Sequence, residues 1–203
     1  MKPTLLTIVR HGETPANLQG VWHGSIDTEL TPRGVAQAQR VAQQLAAALP
    51  LPTALYSSPL RRARDTAAAI GLRLALEARL EPDLAEYHLG ELEGMSYREL
   101  VAEHQIFDRM REDPDCRPGG GESPREVAAR CAASLRRIAV AHRGERVVVV
   151  SHGGALTLGL GLLLDGNPSA WRRMMDNCGI SELALEPAPA LLSFNLTAHL
   201  GEI

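Results

Sequence analysis

The sequence predicts an α/β protein of three layers, α/β/α, in which helices cover both faces of a mostly parallel central sheet. Short apolar runs alternate along the chain with segments whose apolar residues recur at the helical period. Several of these segments open on Ser or Thr beside a proline or ahead of a glutamate, as helix N-termini do. The segment ERVVVVSHGG, residues 145–154, contains four consecutive valines, which are typical of a central strand buried on both faces.

The first 76 residues are predicted to form two strand–helix units followed by a third strand. Each strand is a short apolar run, and each helix opens on a capping residue before proline: Thr31 before Pro32, and Ser58 before Pro59. The expected strands cover residues 5–9, 54–57 and 72–76, and the expected helices cover residues 31–49 and 58–71.

The second half repeats the alternation after an irregular segment. Ser96 with Glu99, and Ser123 with Glu126, fit the capping box, and the second pair opens an Ala-rich helix that runs to about His142. After the valine strand we expect helices from about residue 154 and again after 168, and closing strands over 181–185 and 191–196. The stretch 87–121 is rich in Gly, Pro and charge, which predicts an excursion above the sheet edge that covers a substrate.

Composition excludes several classes of function. A chain of 203 residues with a net charge of −3 has no electrostatic basis for binding nucleic acid or an anionic membrane. The longest apolar run, residues 155–164, is shorter than the roughly 20 residues of a membrane span, and the N-terminal apolar stretch is too short for a signal peptide. Three cysteines without CxxC spacing argue against a disulfide framework or zinc ribbon and indicate a reducing, cytoplasmic location.

Three predicted strands end on polar clusters: VRHGET at residues 9–14, YSSPLRRA at 56–63 and VVSHGG at 149–154. In parallel sheets, ligands bind beyond the carboxyl ends of the strands. If these strands are neighbours, His11, His152 and an arginine converge on one pocket, which suits a dianion such as a phosphate monoester. The glycines beside both histidines, Gly12, Gly153 and Gly154, let the backbone approach closely.

Each of these features alone has an ordinary structural explanation. A His-Gly pair after a strand is usually a turn, and helical arginines such as Arg61, Arg62 and Arg64 are usually solvated. It is their joint occurrence that favours a site. Two other chemistries fail on spacing, because Ser151 lacks the preceding glycine of a G-x-S-x-G elbow and no histidines have the H-E-x-x-H spacing of a zinc helix.

Four motifs occur together along the chain. They are RHGET followed by Asn17, SPLRRARDTA with Arg62, LAEYHLGELEG with Glu86, and VVSHGG with His152. This set, which runs from residue 4 to about 185, resembles the histidine phosphatase superfamily in its branch of phosphoglycerate-mutase-like phosphatases. The resemblance implies a phosphoglycerate-mutase-like fold and a single histidine-phosphatase domain over residues 1–203.

The resemblance also implies catalytic roles. His11 would attack phosphorus and form a phosphohistidine, with its other ring nitrogen donating to a backbone carbonyl. Glu86 would protonate the leaving alkoxide and then take a proton from the attacking water. Arg10, Arg62 and a protonated His152 would hold the phosphoryl oxygens, so that neither a metal nor another cofactor is required.

Four further groups belong to the expected site or its wall. Asn17 and the backbone N–H of Gly153 would add donors to the phosphate. At VWHGS this chain departs from the family, which often has Gln or Thr where His23 stands. We expect His23 to contact substrate and Trp22 to wall the pocket, the alternative being that both only pack the loop.

The sequence thus favours a metal-independent phosphomonoesterase acting on a small phosphorylated metabolite, with a homodimer as a possible assembly. A cofactor-dependent phosphoglycerate mutase is the main alternative. Mutases of this type carry an added segment between the acid and the second histidine that excludes water, whereas here two predicted helices occupy most of residues 87–151. A non-catalytic phospholigand-binding protein is the remaining alternative, and such a protein would be expected to have lost His11, Glu86 or an arginine.

Overall fold

A six-stranded sheet lies at the centre of the computed structural model, which describes residues 2–169 and 173–201. Its strands are β1 Leu5–Arg10, β2 Ala54–Ser57, β3 Ala78–Leu80, β4 Arg146–Ser151, β5 Ile180–Ala184 and β6 Ala190–Leu196. They lie in the order β3-β2-β4-β1-β5-β6. The first four in this order are parallel, and β5 and β6 are antiparallel to the strands before them. The prediction of a mostly parallel sheet is confirmed.

Helices cover both faces of this sheet, as the three-layer prediction requires. The α-helices are α1 Pro15–Gln19, α2 Pro32–Ala46, α3 Arg61–Leu74, α4 Tyr97–Ala102, α5 Ile106–Glu112, α6 Pro124–Ala141 and α7 Gly153–Asp165. Along β4, Val148 and Val150 pack with α2 and α3, while Val147 and Val149 pack with α6 and α7. The four-valine run is therefore buried on both faces because each face has its own helix layer.

The third strand was expected at residues 72–76, and this expectation is wrong. Helix α3 continues to Leu74 and ends where Ala75 adopts a left-handed φ of 56°, and the strand follows at Ala78–Leu80. Leu72, which suggested a buried strand, is 89% exposed on the helix surface. An apolar run of five residues does not distinguish a strand from the end of a helix.

The second expected helix after the valine strand is not found in the part of the segment that the structure describes. Pro168 and Ser169 form a turn, and residues 173–176 are irregular. Residues 170–172, which that prediction includes, lie outside the described residues. No helix in the described ranges is long and apolar enough to cross a membrane.

The stretch 87–121 lies outside the sheet and has its own small core. Both expected capping boxes are present, with Ser96 opening α4 and Ser123 opening α6. Residues of the stretch such as Leu89, Leu100 and Ile106 are buried in one apolar cluster with side chains of α6 and α7. Backbone pairing of residue 21 with residue 96 joins the stretch to the loop that carries Trp22.

Candidate active site

The strand order brings the two histidines together. Strands β1 and β4 pair in parallel with Arg10 opposite Ser151, so that His11 and His152 follow at the same edge of the sheet. Their ring centroids are 5.1 Å apart. Strand β2 is the other neighbour of β4, and Arg62 in the first turn of α3 reaches His152 from that side. The convergence expected from the three strand ends is therefore observed.

A small pocket opens at this edge between the strand ends, the loop before α2 and the segment after β3. Its lining contains Arg10, His11, Asn17, Val21, Trp22, His23, Gly24, Arg62, Glu86 and Tyr97. All the expected site side chains except that of His152 line this pocket. His152 lies behind Arg62 and is fully buried, and a Cβ on Gly153 would lie 3.3 Å from the Nε of Arg10.

His11 is held with one ring nitrogen engaged and the other available. Its Nδ1 lies 2.7 Å from the carbonyl oxygen of Gly12, which accepts a hydrogen bond from Nδ1–H. Burial, reinforced by the positive charges of Arg62 and Arg10, lowers the pKa of His11 well below its usual range. The ring is therefore neutral at neutral pH, with the lone pair on Nε2.

His152 is also neutral in this arrangement, so the expectation of a protonated ring is wrong here. Its Nδ1 accepts a hydrogen bond from the Nε of Arg62 at 3.2 Å, and a guanidinium can only donate. Its Nε2 lies 2.6 Å from the hydroxyl oxygen of Ser58. Burial first, and then the charge of Arg62, lowers the pKa of His152 well below its usual range.

Main-chain carbonyls fix the two arginines. Arg62 is 1% exposed and donates to the carbonyl oxygens of Gly24 at 2.8 Å and Ile26 at 2.9 Å. The Nη1 of Arg10 donates to the carbonyl oxygen of Met175 at 2.6 Å. These bonds set the direction of each guanidinium, and both cations face the pocket without an acidic side chain bonded to them among the described residues.

Two buried nitrogen atoms that belong to the pocket lining have no hydrogen-bond partner among the described residues. They are the Nε of Arg10 and the Nε2 of His23. Burial, followed by the charges of Arg62 and Arg10, lowers the pKa of His23 to about 4, so this ring is neutral at neutral pH. Buried polar groups are nearly always hydrogen-bonded. A phosphoryl oxygen in the pocket would supply the acceptor for the Nε of Arg10, and for the Nε2 of His23 in the tautomer that carries the proton there.

Glu86 is bound at the N-terminus of α7. Its Oε1 accepts from the backbone N–H groups of Tyr87 and Ala155, each at 2.8 Å, and its Oε2 accepts from that of Gly154 at 3.1 Å. The positive end of the helix dipole points at the same carboxylate. A Cβ on Gly154 would lie 2.7 Å from Oε1 of Glu86, which explains the glycine at this position.

Gly12 serves a different purpose from the one expected. A Cβ there would lie 2.6 Å from the carbonyl oxygen of Gly34, so this glycine allows β1 to approach α2, not a ligand. Asn17 is oriented by its neighbours: its Oδ1 accepts from both the N–H and the hydroxyl of Thr14 and from the amide of Asn177. The NH2 end of Asn17 is therefore the end available to the pocket.

Three positioning residues were missed from the sequence. Asn177 donates to Asn17 and to the carbonyl oxygen of His11, Ser58 contacts His152, and Arg130 of α6 donates to the carbonyl oxygen of Glu86 at 2.9 Å. Asn177 and Ser58 stand in segments whose motif character was visible, NCGISEL and SPLRRARDTA. No sequence signal marks Arg130, because its bonds are to backbone atoms of a distant segment.

The sheet edge, the two guanidinium groups and the neutral imidazole form a cationic pocket in an α/β protein, an arrangement that suits a phosphoryl group. A family model described as "Histidine phosphatase superfamily (branch 1)" matches residues 6–196. The chain belongs to this family, and it is accordingly a phosphoric monoester hydrolase.

Among curated proteins, the chain is 40% identical over 158 residues to the metal-independent phosphoserine phosphatase of Arabidopsis thaliana, covering 75% of this chain and 66% of that protein. It is 34% identical over 200 residues to the glucosyl-3-phosphoglycerate phosphatase of Mycobacterium tuberculosis, covering 93% and 89%. Among solved structures, the phosphoserine phosphatase of Entamoeba histolytica in complex with 3-phosphoglyceric acid matches with a TM-score of 0.87 at 32% identity, covering 97% and 99%. The expected phosphoglycerate-mutase-like phosphatase fold is confirmed.

Proposed function

We propose that this protein hydrolyses small phosphomonoesters through a phosphohistidine on His11, without a metal ion. The observation that carries the proposal is the pair of unpartnered buried nitrogens, of Arg10 and His23, in one pocket with the free Nε2 of His11 and the carboxyl group of Glu86. A phosphoryl group placed there meets donors, a nucleophile and an acid–base group together.

In the first step, the Nε2 lone pair of His11 forms the N–P bond as the bond from phosphorus to the alcohol oxygen breaks. Glu86, carrying one proton when the ester is bound, gives it to the departing oxygen and becomes a carboxylate held by three backbone N–H groups. In the second step, that carboxylate takes a proton from water as the water oxygen attacks phosphorus. Inorganic phosphate leaves and His11 is regenerated.

Positioned charges stabilise both transition states. Arg10 and Arg62 supply two permanent positive charges, and Asn17, His23 and the N–H of Gly153 supply neutral donors to the phosphoryl oxygens. His152 holds the direction of Arg62 by accepting from its Nε. These groups provide the charge that a divalent cation provides in other phosphoryl-transfer enzymes, so no metal is included in the proposal.

A small phosphorylated substrate is consistent with the relatives, which are named for phosphoserine and for glucosyl-3-phosphoglycerate. Mutase activity is less favoured because α4, α5, α6 and β4 account for most of the interval between Glu86 and His152, and the 87–121 stretch is the one part of it outside the sheet and its helix layers that could exclude water. A cytoplasmic location is proposed from the cysteines, Cys116, Cys131 and Cys178, which are all free. Homodimer formation stays a prediction, and size-exclusion chromatography with light scattering would test it.

The test is hydrolysis of p-nitrophenyl phosphate in EDTA by the wild type, by His11→Ala and by the control His104→Ala. His104 does not line the pocket that contains His11 and Glu86. We expect the wild type and His104→Ala to release phosphate alike, His11→Ala to be inert, and a quenched wild-type reaction to carry a phosphoryl group on the His11 peptide by mass spectrometry. Activity that EDTA abolishes, or that survives in His11→Ala, would refute the proposal.

A further inference from the structure

We call the small pocket that contains His11, Arg62 and Glu86 the phosphoryl pocket. A second cavity adjoins it and is much larger, with a volume of about 270 Å³. It lies under the 87–121 stretch, between α5, the start of α7 and the segment after α7. Its lining is mainly aromatic and aliphatic, with Trp22, Tyr87, Phe107, Met110, Leu158 and Met174. Ligand pockets of proteins have this character and begin at about 300 Å³, so the cavity is close to the size of a bound small molecule.

Two residues connect the cavity to the phosphoryl pocket. Trp22 lines both. Gly154 lines the cavity, and its backbone N–H donates to the carboxylate of Glu86, which lines the pocket. On the proposed function, the alcohol oxygen of the substrate lies beside Glu86. The rest of the alcohol then extends past Gly154 and Trp22 into the cavity.

The rim of the cavity exposes apolar side chains that a ligand would cover. Phe107, on α5, is 37% exposed, and Met174, after α7, is 43% exposed, and both line the cavity. Phe107 packs against Trp22 and Tyr97, with ring centroids 6.3 Å and 6.4 Å away. Partly exposed aromatic and thioether groups around a concave apolar surface mark a binding surface, because a ligand that covers them removes apolar area from water.

Charge in the described part of the lining is confined to one side chain. Arg111 lines the cavity, and its Nη1 already pairs with the carboxylate of Asp108 at 2.8 Å. No described lining residue is acidic, so an ammonium group would enter without a counter-charge. The exposed Arg111–Asp108 pair is weak, so a carboxylate could pair with Arg111 at the solvent side, but deeper in the cavity it would lose water against apolar walls.

We propose, resting on the proposed function, that the preferred substrates are phosphomonoesters of bulky apolar alcohols, with an aryl or long alkyl group that fills this cavity. Monoesters of small zwitterionic or carboxylate-bearing alcohols, such as phosphoserine and 3-phosphoglycerate, are poorer substrates. The specificity of the chain then differs from that named for its phosphoserine-phosphatase relatives, although the phosphoryl pocket is of the same kind.

The test compares 2-phenylethyl phosphate, ethyl phosphate and O-phosphoserine as substrates of the wild type, with released phosphate as the readout. All three are esters of primary alcohols, so a difference in kcat/KM reports recognition of the alcohol more than its quality as a leaving group. We expect kcat/KM for 2-phenylethyl phosphate to exceed that for each of the other two at least about 10-fold, the discrimination that apolar pockets give.

Variants of two lining residues from different segments, α5 and the segment after α7, locate the effect. In Phe107→Ala and in Met174→Ala, the ratio of kcat/KM for the phenylethyl ester to that for the ethyl ester should fall about 5- to 10-fold. Leu192→Ala is the matched control, since Leu192 is 62% exposed on β6 and lines neither pocket, and it should leave the ratio unchanged. Circular dichroism checks that each variant is folded.

The outcomes separate this inference from the proposed function. A wild-type ratio near one, a preference for phosphoserine, or ratios unchanged in both rim variants would overturn the inference and leave the phosphatase proposal standing. If none of the three esters and no p-nitrophenyl phosphate were hydrolysed, the proposed function would fail, and the inference with it.

Discussion

Replacing Arg130 with methionine should impair proton transfer by Glu86 more than it impairs phosphate binding. Arg130 lies on α6 outside the pocket, and its guanidinium donates to the carbonyl oxygens of Asp83 at 3.0 Å, Ala85 at 2.6 Å and Glu86 at 2.9 Å. It also forms a two-bond ion pair with Glu122 at 2.7 and 2.8 Å. The Arg130 side chain thus fixes the backbone segment 83–86, which ends at the proposed general acid.

The structure sets the size of both effects. The Arg130 side chain is 17% exposed and that of Glu122 is 28% exposed, and breaking a largely buried pair costs about 3–5 kcal/mol because the remaining charge is uncompensated. The free energy of unfolding should fall by about that amount. The carboxyl group of Glu86 also loses its anchored backbone, and a misplacement of about 1 Å costs roughly 100-fold in rate. We therefore expect kcat to drop about 100-fold.

The assay compares two leaving groups at a temperature where urea titration shows the variant to be folded. Nitrophenolate departs with little help from an acid, whereas the ethoxide of ethyl phosphate needs a proton. The kcat defect of Arg130→Met should therefore be larger with ethyl phosphate than with p-nitrophenyl phosphate, and the inhibition constant for inorganic phosphate should change little. Arg130→Lys should recover only part of the loss, because an ammonium cannot reproduce the guanidinium fork.

Arg137→Met is the matched control on the same helix. Arg137 is 53% exposed and pairs with Glu81 and Asp83, and exposed pairs contribute at most about 1 kcal/mol. Its kcat should stay within about twofold of the wild type on this basis. Equal defects of Arg130→Met with the two esters, or a loss of stability without any loss of kcat, would refute the view that Arg130 acts through Glu86.

Three other variants and measurements examine the site. Gly154→Ala places a Cβ 2.7 Å from Oε1 of Glu86 and should lower kcat by about 10- to 100-fold while phosphate inhibition persists; wild-type turnover would contradict the geometry. Histidine NMR titration should give His23 a midpoint near pH 4, which bound inorganic phosphate moves upward because the negative charge of the phosphate offsets the charges of Arg10 and Arg62. An unchanged midpoint would show that phosphate binds elsewhere. Arg62→Lys loses the fixed fork to Gly24, Ile26 and His152 and should weaken phosphate binding about 10-fold or more, measured by calorimetry.

Much of the fold could be predicted because the strongest signals are local. Proline beside a capping residue located α2, the Ser-Glu boxes located α4 and α6, and the valine run located the central strand. The 72–76 segment failed because α3 exposes Leu72, and exposure is decided by neighbours that the local pattern does not show. The antiparallel direction of β5 and β6 likewise depends on which strands they meet.

The residues of the site likewise divide into those that the sequence indicated and those that it did not. The residues of the expected site sit in compact motifs, so the sequence indicated His11, Arg62, Glu86 and His152 together. Of the residues that support them, Arg130 has no such signal, because it binds backbone atoms of a distant segment. The charge state of His152 was also beyond the sequence, since it is set by burial and by the direction of Arg62 Nε, which are tertiary features.

The pairing of β1 with β4 also ties catalytic competence to the completion of folding. Leu5 lies opposite Arg146, so the nucleophile and its neighbouring imidazole come from segments that the ribosome releases far apart in time. Contacts of such long sequence separation form late and slowly. Enzyme turnover during refolding should therefore lag behind the return of helical signal, and a fragment that ends before β4 should bind phosphate weakly and turn over nothing. In this protein, enzyme activity therefore reports that strand β1 has paired with strand β4.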